Sequence, residues 1–251
     1  MPPTVSVIMP AFNEQLRIAD TIRAAQSNLE RLPNAYEIIV IDDGSTDGTR
    51  NEATRLASNP HVKVVGYDRN RGKGFAFKFG AKYATGDIVV LMDSDTDVKP
   101  DLIQRYVTML RRFDLAIGSK RHPESKVTAP VLRKFLSHAF NALVMLLTGI
   151  RVSDTQSGFK AFKRDALRKI TSLVSVKQYA FDVEMLTIAS LFKMKIVELP
   201  VEIELKRQFT FGKTIRMFVD LLGITYRLRI IHWYQRNLES LHATYNPIIK
   251  L

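Results

Sequence analysis

Two carboxylates one residue apart, Asp93 and Asp95, close the apolar run Ile88-Val89-Val90-Leu91-Met92. So short a run, rich in β-branched residues and introduced by Thr85-Gly86-Asp87, reads as a central strand of a parallel sheet. Ligands of open α/β sheets bind where such strands leave the sheet. Two hard oxygen donors placed there suit Mg²⁺ or Mn²⁺, with phosphate and water completing the shell. Asp is also common where strands simply turn, so the pair alone is ambiguous. Two more acidic loops share the pattern: Glu14 and Asp42-Asp43 each follow an apolar, strand-like segment. A carboxylate such as Asp42 can accept from a base N–H or from ribose hydroxyls, while Asp93 and Asp95 hold a cation on a diphosphate. Asn70-Arg71-Gly72-Lys73-Gly74 adds cations and small residues ahead of a helix, which lets backbone approach an anion. Neither a Walker loop nor a Gly-x-Gly-x-x-Gly opening follows the first strand, which argues against a P-loop ATPase and a dinucleotide dehydrogenase.

These loops need a scaffold, and the pattern supplies one. Strands are expected at Val5–Met9, Tyr36–Ile41, Val62–Tyr67, Ile88–Met92 and Leu115–Gly118. Helices are expected over Glu14–Leu32, with Leu16, Ile18, Ile22, Ala25 and Leu29 inward, and near Thr49–Ala57, Gly74–Ala84 and Pro100–Arg112. The alternation predicts an α/β fold, a mostly parallel sheet flanked by helices with right-handed crossovers. At 251 residues the chain suffices for one large α/β domain with a helical extension.

Composition narrows the chemistry. Cysteine is absent, which removes disulfides, thiolate nucleophiles and Cys-bound zinc. The five histidines never fall at i, i+4 spacing. Residues 1–98 carry 11 Lys/Arg and 13 Asp/Glu, a net of −2, whereas residues 99–251 carry 26 and 12, a net of +14. A basic half can meet nucleic acid, an anionic membrane or a phosphorylated substrate. Met1-Pro2-Pro3 leads straight into a strand, so no signal peptide is expected, and no apolar window is long enough to span a bilayer. Val131–Ile150 and Phe211–Arg236 set Lys and Arg among apolar and aromatic residues, the pattern of helices lying in a membrane interface. Equally, such helices can pack on the sheet and expose a basic face.

Four segments together carry a family resemblance: Ser6-Val7-Ile8-Met9-Pro10-Ala11-Phe12-Asn13-Glu14, Ile39-Val40-Ile41-Asp42-Asp43-Gly44-Ser45-Thr46-Asp47-Gly48-Thr49, Asn70-Arg71-Gly72-Lys73-Gly74 and Asp93-Ser94-Asp95. In this order and spacing they resemble family 2 glycosyltransferases of the GT-A fold. Gly118-Ser119-Lys120-Arg121 and Asp154-Thr155-Gln156-Ser157-Gly158-Phe159-Lys160 extend the resemblance to the dolichyl-phosphate glucose and mannose synthases, with wording closer to the glucosyl branch. The resemblance implies inverting transfer of a hexose from UDP-glucose, or less favourably GDP-mannose, to a dolichyl or polyprenyl phosphate. It implies that Pro10, Phe12, Glu14, Asp42 and Asp43 line the nucleoside pocket, with Arg71, Lys73 and Ser94 beside the diphosphate. Asp93 and Asp95 would hold Mg²⁺ or Mn²⁺. Lys120 stands where the family commonly has Arg; Lys keeps the charge but lacks the bidentate fork, which Arg121 can supply. Lys206 and Arg207 stand where the family places a late basic residue near the acceptor phosphate.

A lipid phosphate is already anionic at neutral pH, its second pKa being about 6, and needs no general base. It needs cations, which gives the basic half a purpose. A sugar-hydroxyl acceptor on a glycolipid or polysaccharide would instead make Asp154 or Asp182 the candidate base. Asp154 otherwise closes a turn, and Asp182 and Glu184 otherwise face solvent or pair with basic neighbours. A nucleic-acid-binding module accounts for the charge but not for three acidic loops, so no nucleic acid is expected as partner. With the family context, residues 1–210 are expected to form the catalytic domain. Residues 211–251 would form a membrane-interfacial extension, with Trp233 and Tyr234 at headgroup level or Trp233 in the core. The protein would then sit peripherally on the cytoplasmic face of a membrane.

Overall fold

The structure, a computed structural model, describes residues 4–33, 35–94, 102–128, 130–178, 180–204 and 211–238. Asp95, Lys206 and Arg207 lie outside the described residues. Five elements in sequence build the first half: β1 (Val5–Ala11), α1 (Ile18–Leu29), β2 (Tyr36–Asp43), α2 (Thr49–Leu56) and β3 (Val62–Tyr67). Then come α3 (Lys73–Gly80), β4 (Ile88–Met92), α4 (Ile103–Met109), β5 (Leu115–Ser119), β6 (Lys126–Thr128) and α5 (Val131–Thr148). The rest is β7 (Phe159–Lys163), α6 (Arg164–Leu173), α7 (Phe181–Leu191), β8 (Ile196–Pro200), β9 (Glu202–Glu204) and α8 (Phe211–Thr225), followed by a π-helical turn, Tyr226–Ile230.

Seven strands form one sheet in the order β3-β2-β1-β4-β7-β5-β8, and β6 pairs with β9 beside it. Strand β7 alone runs antiparallel, against both β4 and β5. Every residue of β1 and β4 is buried, as strands covered on both faces require. Two apolar layers fill the space on either side. One groups Val5, Val7 and Met9 with Ile18, Ile22, Ala25 and Leu29 of α1. The other groups Ile8, Leu91 and Phe162 with Phe181, Leu186, Leu221, Ile224 and Tyr234. Tyr234 is thus fully buried rather than at headgroup level, while Trp233 is partly buried against the same layer.

The structure departs from the sequence reading at loop–element junctions. Helix α1 starts at Ile18, not Glu14, and Leu16 is 90% exposed. The cause is local: the Gln15 side chain accepts the Gly48 N–H at 2.9 Å, and the Glu14 carbonyl accepts the N–H groups of Arg17 and Ile18. Residues 13–17 are spent on joining two loops. Strands β1 and β2 run two residues further than expected, because Ala11 pairs with Asp42, and Asp42 and Asp43 pair with Gly66 and Tyr67. Asp182 and Glu184 are buried. The solvent-facing alternative fails for both, and each pairs with a basic side chain, Lys160 and Arg227 respectively.

Candidate active site

Because β1, β2, β3, β4 and β5 run in one direction, their carboxyl ends line one edge of the sheet. The loop entering antiparallel β7, residues 154–158, reaches the same edge. Asn13 and Gln15 clamp the first loop to the second. Asn13 has φ 56°, a conformation its short amide tolerates. Its Oδ1 accepts the Thr46 N–H at 2.9 Å, and its own N–H donates to Ser45 Oγ at 3.1 Å. Glu14 is buried beside them, its N–H donating to Thr49 Oγ1 at 2.7 Å. Phe12 is exposed at the rim. Pro10 lies in β1, and its carbonyl accepts the buried Ser94 hydroxyl at 2.8 Å. Ser94 therefore ties the end of β4 to β1.

Asp42 and Asp43 do different work. Asp42 is buried and accepts Arg50 Nε at 2.7 Å and the Ser45 N–H at 3.2 Å. Asp43 organises the third loop. It accepts Tyr67 OH at 2.6 Å, Asn70 Nδ2 at 3.0 Å, Arg71 N–H at 2.8 Å and Gly72 N–H at 2.9 Å. Burial and then the Asp43 carboxylate raise the Tyr67 pKa, which keeps its hydroxyl a donor. The Arg71 guanidinium lies 4.7 Å from the Phe75 ring centroid. Gly72 has φ 95°, and a Cβ there would stand 2.5 Å from the Lys177 carbonyl, so only glycine fits. The next residue, Lys73, opens α3 and pairs with Asp93.

Asp93 sits at the end of β4 with its side chain 26% exposed. Its carboxylate presses on the loop entering β7: a Cβ on Gly158 would meet Asp93 Oδ2 at 1.9 Å. Its carboxylate is the kind of hard oxygen donor that Mg²⁺ or Mn²⁺ takes, and it stands beside the Lys73 ammonium. No group of three or more His, Cys, Asp or Glu that could hold a metal occurs among the described residues.

On the other side of Gly158 lies a second charged cluster. Asp154 is buried and accepts Lys120 Nζ at 2.8 Å, Lys120 N–H at 2.9 Å and Gln156 N–H at 3.0 Å. Burial pushes its pKa up, but the Lys120 ammonium and these hydrogen bonds outweigh that and hold it below the ordinary value. Arg121 does not present an open fork. Its guanidinium donates to the Ser153 carbonyl, to the Ser137 carbonyl at 2.9 Å and to His138 Nδ1 at 3.2 Å. It thereby fastens the loop after β5 to α5. Lys160, fully buried in β7, donates to the Ser157 carbonyl and to Asp182 at 2.8 Å. Gln156 Nε2 reaches Met217 Sδ of α8 at 3.7 Å.

Helices α5 and α8 expose Phe135, Leu146, Ile215, Phe218, Val219 and Leu222, and the π-helical turn adds Tyr226 and Ile230. Phe140 and Phe218 meet edge to face, and Arg229 Nε donates to the Leu147 carbonyl at 2.7 Å, so these apolar residues belong to neighbouring elements. No helix among the described residues is long and apolar enough to cross a membrane. A cavity of about 700 Å³, lined by Arg111, Asp114, Arg168 and Lys193, opens at the opposite edge of the sheet, away from all these groups.

Gln15 and Arg50 escaped the sequence reading, which quoted Asn13 and Lys160 within motifs but gave them no role. Asn13 and Gln15 flank Glu14 and carry amides able to bridge backbone, which is the one signal that pointed to them.

Comparison with known proteins agrees with this geometry. Residues 6–171 match the model of Glycosyl transferase family 2. A dolichyl-phosphate beta-glucosyltransferase of Homo sapiens is 34% identical over 91% of this chain and 77% of its own length. One of Trichomonas vaginalis is 31% identical over 90% and 72%. The fold matches glucosyl-3-phosphoglycerate synthase of Mycobacterium tuberculosis, solved with Mn²⁺, UDP-glucose and glycerol 3-phosphate, with a TM-score of 0.69 at 22% identity, covering 89% of this chain and 79% of that one. The sheet, with its mostly parallel order and flanking helices, is that of the GT-A glycosyltransferases. By motif, fold and sequence, this chain belongs to glycosyl transferase family 2 and is a glycosyltransferase.

Proposed function

We propose that the enzyme transfers glucose from UDP-glucose to the phosphate of a dolichyl-type polyprenol, with inversion at the anomeric carbon. One observation carries this reading: the single loop 154–158 touches three different chemistries. Gly158 lies against Asp93, Asp154 holds Lys120 at 2.8 Å, and Gln156 reaches α8 at Met217. A donor carboxylate, a cation and an apolar helical face are thus neighbours, as a phosphate on a lipid tail requires. The names of the relatives support the sugar and the acceptor.

In this reading Pro10, Phe12, Glu14, Asp42 and Asp43 frame the nucleoside, and Arg71, Lys73 and Ser94 border the diphosphate. Asp93 and Asp95 would hold Mg²⁺ or Mn²⁺, which when bound would supply Lewis-acid stabilisation of the leaving diphosphate. Lys120 and Arg207 serve the acceptor, and Arg121, its guanidinium spent on Ser153, Ser137 and His138, holds the loop that carries Lys120. The acceptor phosphate oxygen attacks the anomeric carbon from the face opposite the diphosphate, the glycosidic C–O bond breaks, and its electron pair leaves with the nucleoside diphosphate. Lys73 and Lys120 reduce the repulsion between the two anions as they approach. No general base is required, and the site supports that: Asp154 is buried and committed to Lys120, and Asp182 to Lys160. A sugar hydroxyl would find neither carboxylate free.

The exposed faces of α5 and α8, with Arg133, Lys134, Arg216 and Arg229 on the same helices or the turn that follows, form the platform on a membrane's cytoplasmic face. The exposed side chains of residues 211–238 continue that platform, while Leu221, Ile224 and Tyr234 anchor the segment in the core. The test is to incubate the enzyme with dolichyl phosphate and radiolabelled UDP-glucose or GDP-mannose and extract with chloroform. Lipid-soluble label from UDP-glucose is expected. Label from GDP-mannose alone overturns the sugar, and label from neither overturns the acceptor. Asp93→Ala should abolish metal-dependent nucleotide binding as well as turnover.

A further inference from the structure

The first turn of α7 sends three side chains to three places. Phe181 packs under Gly74, where an added Cβ would stand 2.6 Å from the Phe181 Cβ, and its ring lies 5.8 Å from Lys73 Nζ. Asp182 holds Lys160, which holds the Ser157 carbonyl one residue before Gly158. Glu184, at 0% exposure, is a buried carboxylate fed from two sides. From the strap 174–178 it accepts Ser175 N–H at 2.9 Å, Ser175 Oγ at 2.8 Å and Val176 N–H at 2.7 Å. From the C-terminal segment it accepts Arg227 Nη2 at 3.2 Å and Tyr234 OH.

The strap is the wall of the diphosphate loop. The Lys177 carbonyl accepts the Phe75 N–H at 3.2 Å, and the Val176 carbonyl would stand 2.7 Å from a Cβ on Gly74. Direct contacts therefore run from the π-helical turn through Arg227, Tyr234 and Glu184 to the strap, then to Gly72-Lys73-Gly74 and Asp93. Burying a carboxylate is costly unless it is fully bonded, so the strap's position and the docking of the C-terminal segment are set by one group.

We propose that Glu184 is a positioning residue for the donor site. It fixes the strap so that Lys73 faces Asp93, and it does so only while Arg227 and Tyr234 are docked. The helices of the apolar platform and the loop of the nucleotide diphosphate then form one coupled unit, so that loosening the first weakens the second. The inference rests on the donor reading above for its nucleotide arm alone. Spatial succession of contacts is not itself coupling, and the experiment must measure coupling directly.

Tyr234→Phe removes one hydroxyl from Glu184 and keeps the ring; Glu184→Gln replaces an acceptor oxygen by a donor. Ile38→Val, a buried change at the amino end of β2 in the other apolar layer, controls for general loss of stability. Calorimetric titration with UDP and with GDP in MnCl₂, well below each melting midpoint, is paired with amide exchange at Phe75 and Val176. Expected are a loss of nucleoside-diphosphate affinity on the order of five-fold or more and faster exchange at Phe75 in both variants. Ile38→Val should change neither, and the double variant Tyr234→Phe with Glu184→Gln should lose no more than Glu184→Gln alone. Wild-type affinity together with wild-type Phe75 exchange in Tyr234→Phe overturns the proposal, as does an equal change in Ile38→Val. Should the native chain take neither nucleotide, the donor reading falls and Phe75 exchange alone decides the coupling: accelerated supports it, unchanged overturns it.

Discussion

Asp154 is a buried carboxylate held charged by its neighbours, and that has a pH signature. Its pKa is depressed in the folded protein, so its contribution is present above the ordinary carboxylate value of about 3.9 and is lost as pH falls through the lower folded value. Lys120→Met removes the largest stabilising partner and leaves burial, which raises the pKa. Acid unfolding followed by circular dichroism should therefore begin at higher pH in Lys120→Met than in the native chain; identical curves would show that Lys120 does not hold Asp154. Asp43 offers a second test at this scale. Asp43→Asn turns an amide donor toward the N–H group of either Arg71 or Gly72, which bond different carboxylate oxygens, and the unmatched pairing should cost about 1–3 kcal/mol in urea unfolding. It should also raise the KM for nucleotide sugar more than that for lipid phosphate.

Among the elements, the decisive junction is between β4 and the loop entering β7. Gly158→Ala forces a methyl group into the Asp93 carboxylate, so turnover should collapse while secondary structure is retained. Normal activity would mean that the two backbones part easily. This junction was only half visible in the sequence. The strand Ile88–Met92 stands out because every residue is apolar and buried. Strand β7 does not: Phe159-Lys160-Ala161-Phe162-Lys163 carries a lysine that is buried only because Asp182, 22 residues later, neutralises it. Likewise the helical periodicity of Glu14 to Leu32 becomes a helix only over Ile18–Leu29, because Gln15 is drawn into the loop by a backbone N–H at Gly48 that no local pattern reveals. Periodicity reports which face is apolar; it does not report which polar side chain a distant loop will capture. The candidate residues were legible because their types recur with fixed order. Their division into ligand-facing and loop-organising groups, as between Asp42, Asp43 and Ser94, needed the tertiary contacts.

For the molecule as a whole, charge and apolar exposure fall in the same region. The net charge is +12, and the exposed side chains of α5 and α8 include Leu146 at 73% and Ile230, in the turn that follows, at 66%. Leu146→Glu with Ile230→Glu should leave the melting midpoint unchanged and prevent pelleting with vesicles containing phosphatidylserine. Pelleting of the native chain should weaken as salt rises from 0.01 to about 0.15 M, since screening shortens the reach of the basic groups to about 8 Å. Retained pelleting in the double variant would remove these helices from the interface.

The order β3-β2-β1-β4-β7-β5-β8 has a further consequence, which concerns time rather than space. Strands β1 to β4 are contiguous in sequence and pair among themselves, so the donor half needs nothing beyond Met92 to close its sheet. Strand β5 cannot join that sheet until β7 arrives to lie between it and β4, and β8 follows later still. Non-local pairing of this kind is slow relative to local pairing. Pulsed amide exchange during refolding should therefore protect β1 and β2 before β5, and simultaneous protection would contradict this order. On the ribosome, the half proposed to bind a soluble nucleotide should mature first, and the half proposed to meet the lipid should be assembled last.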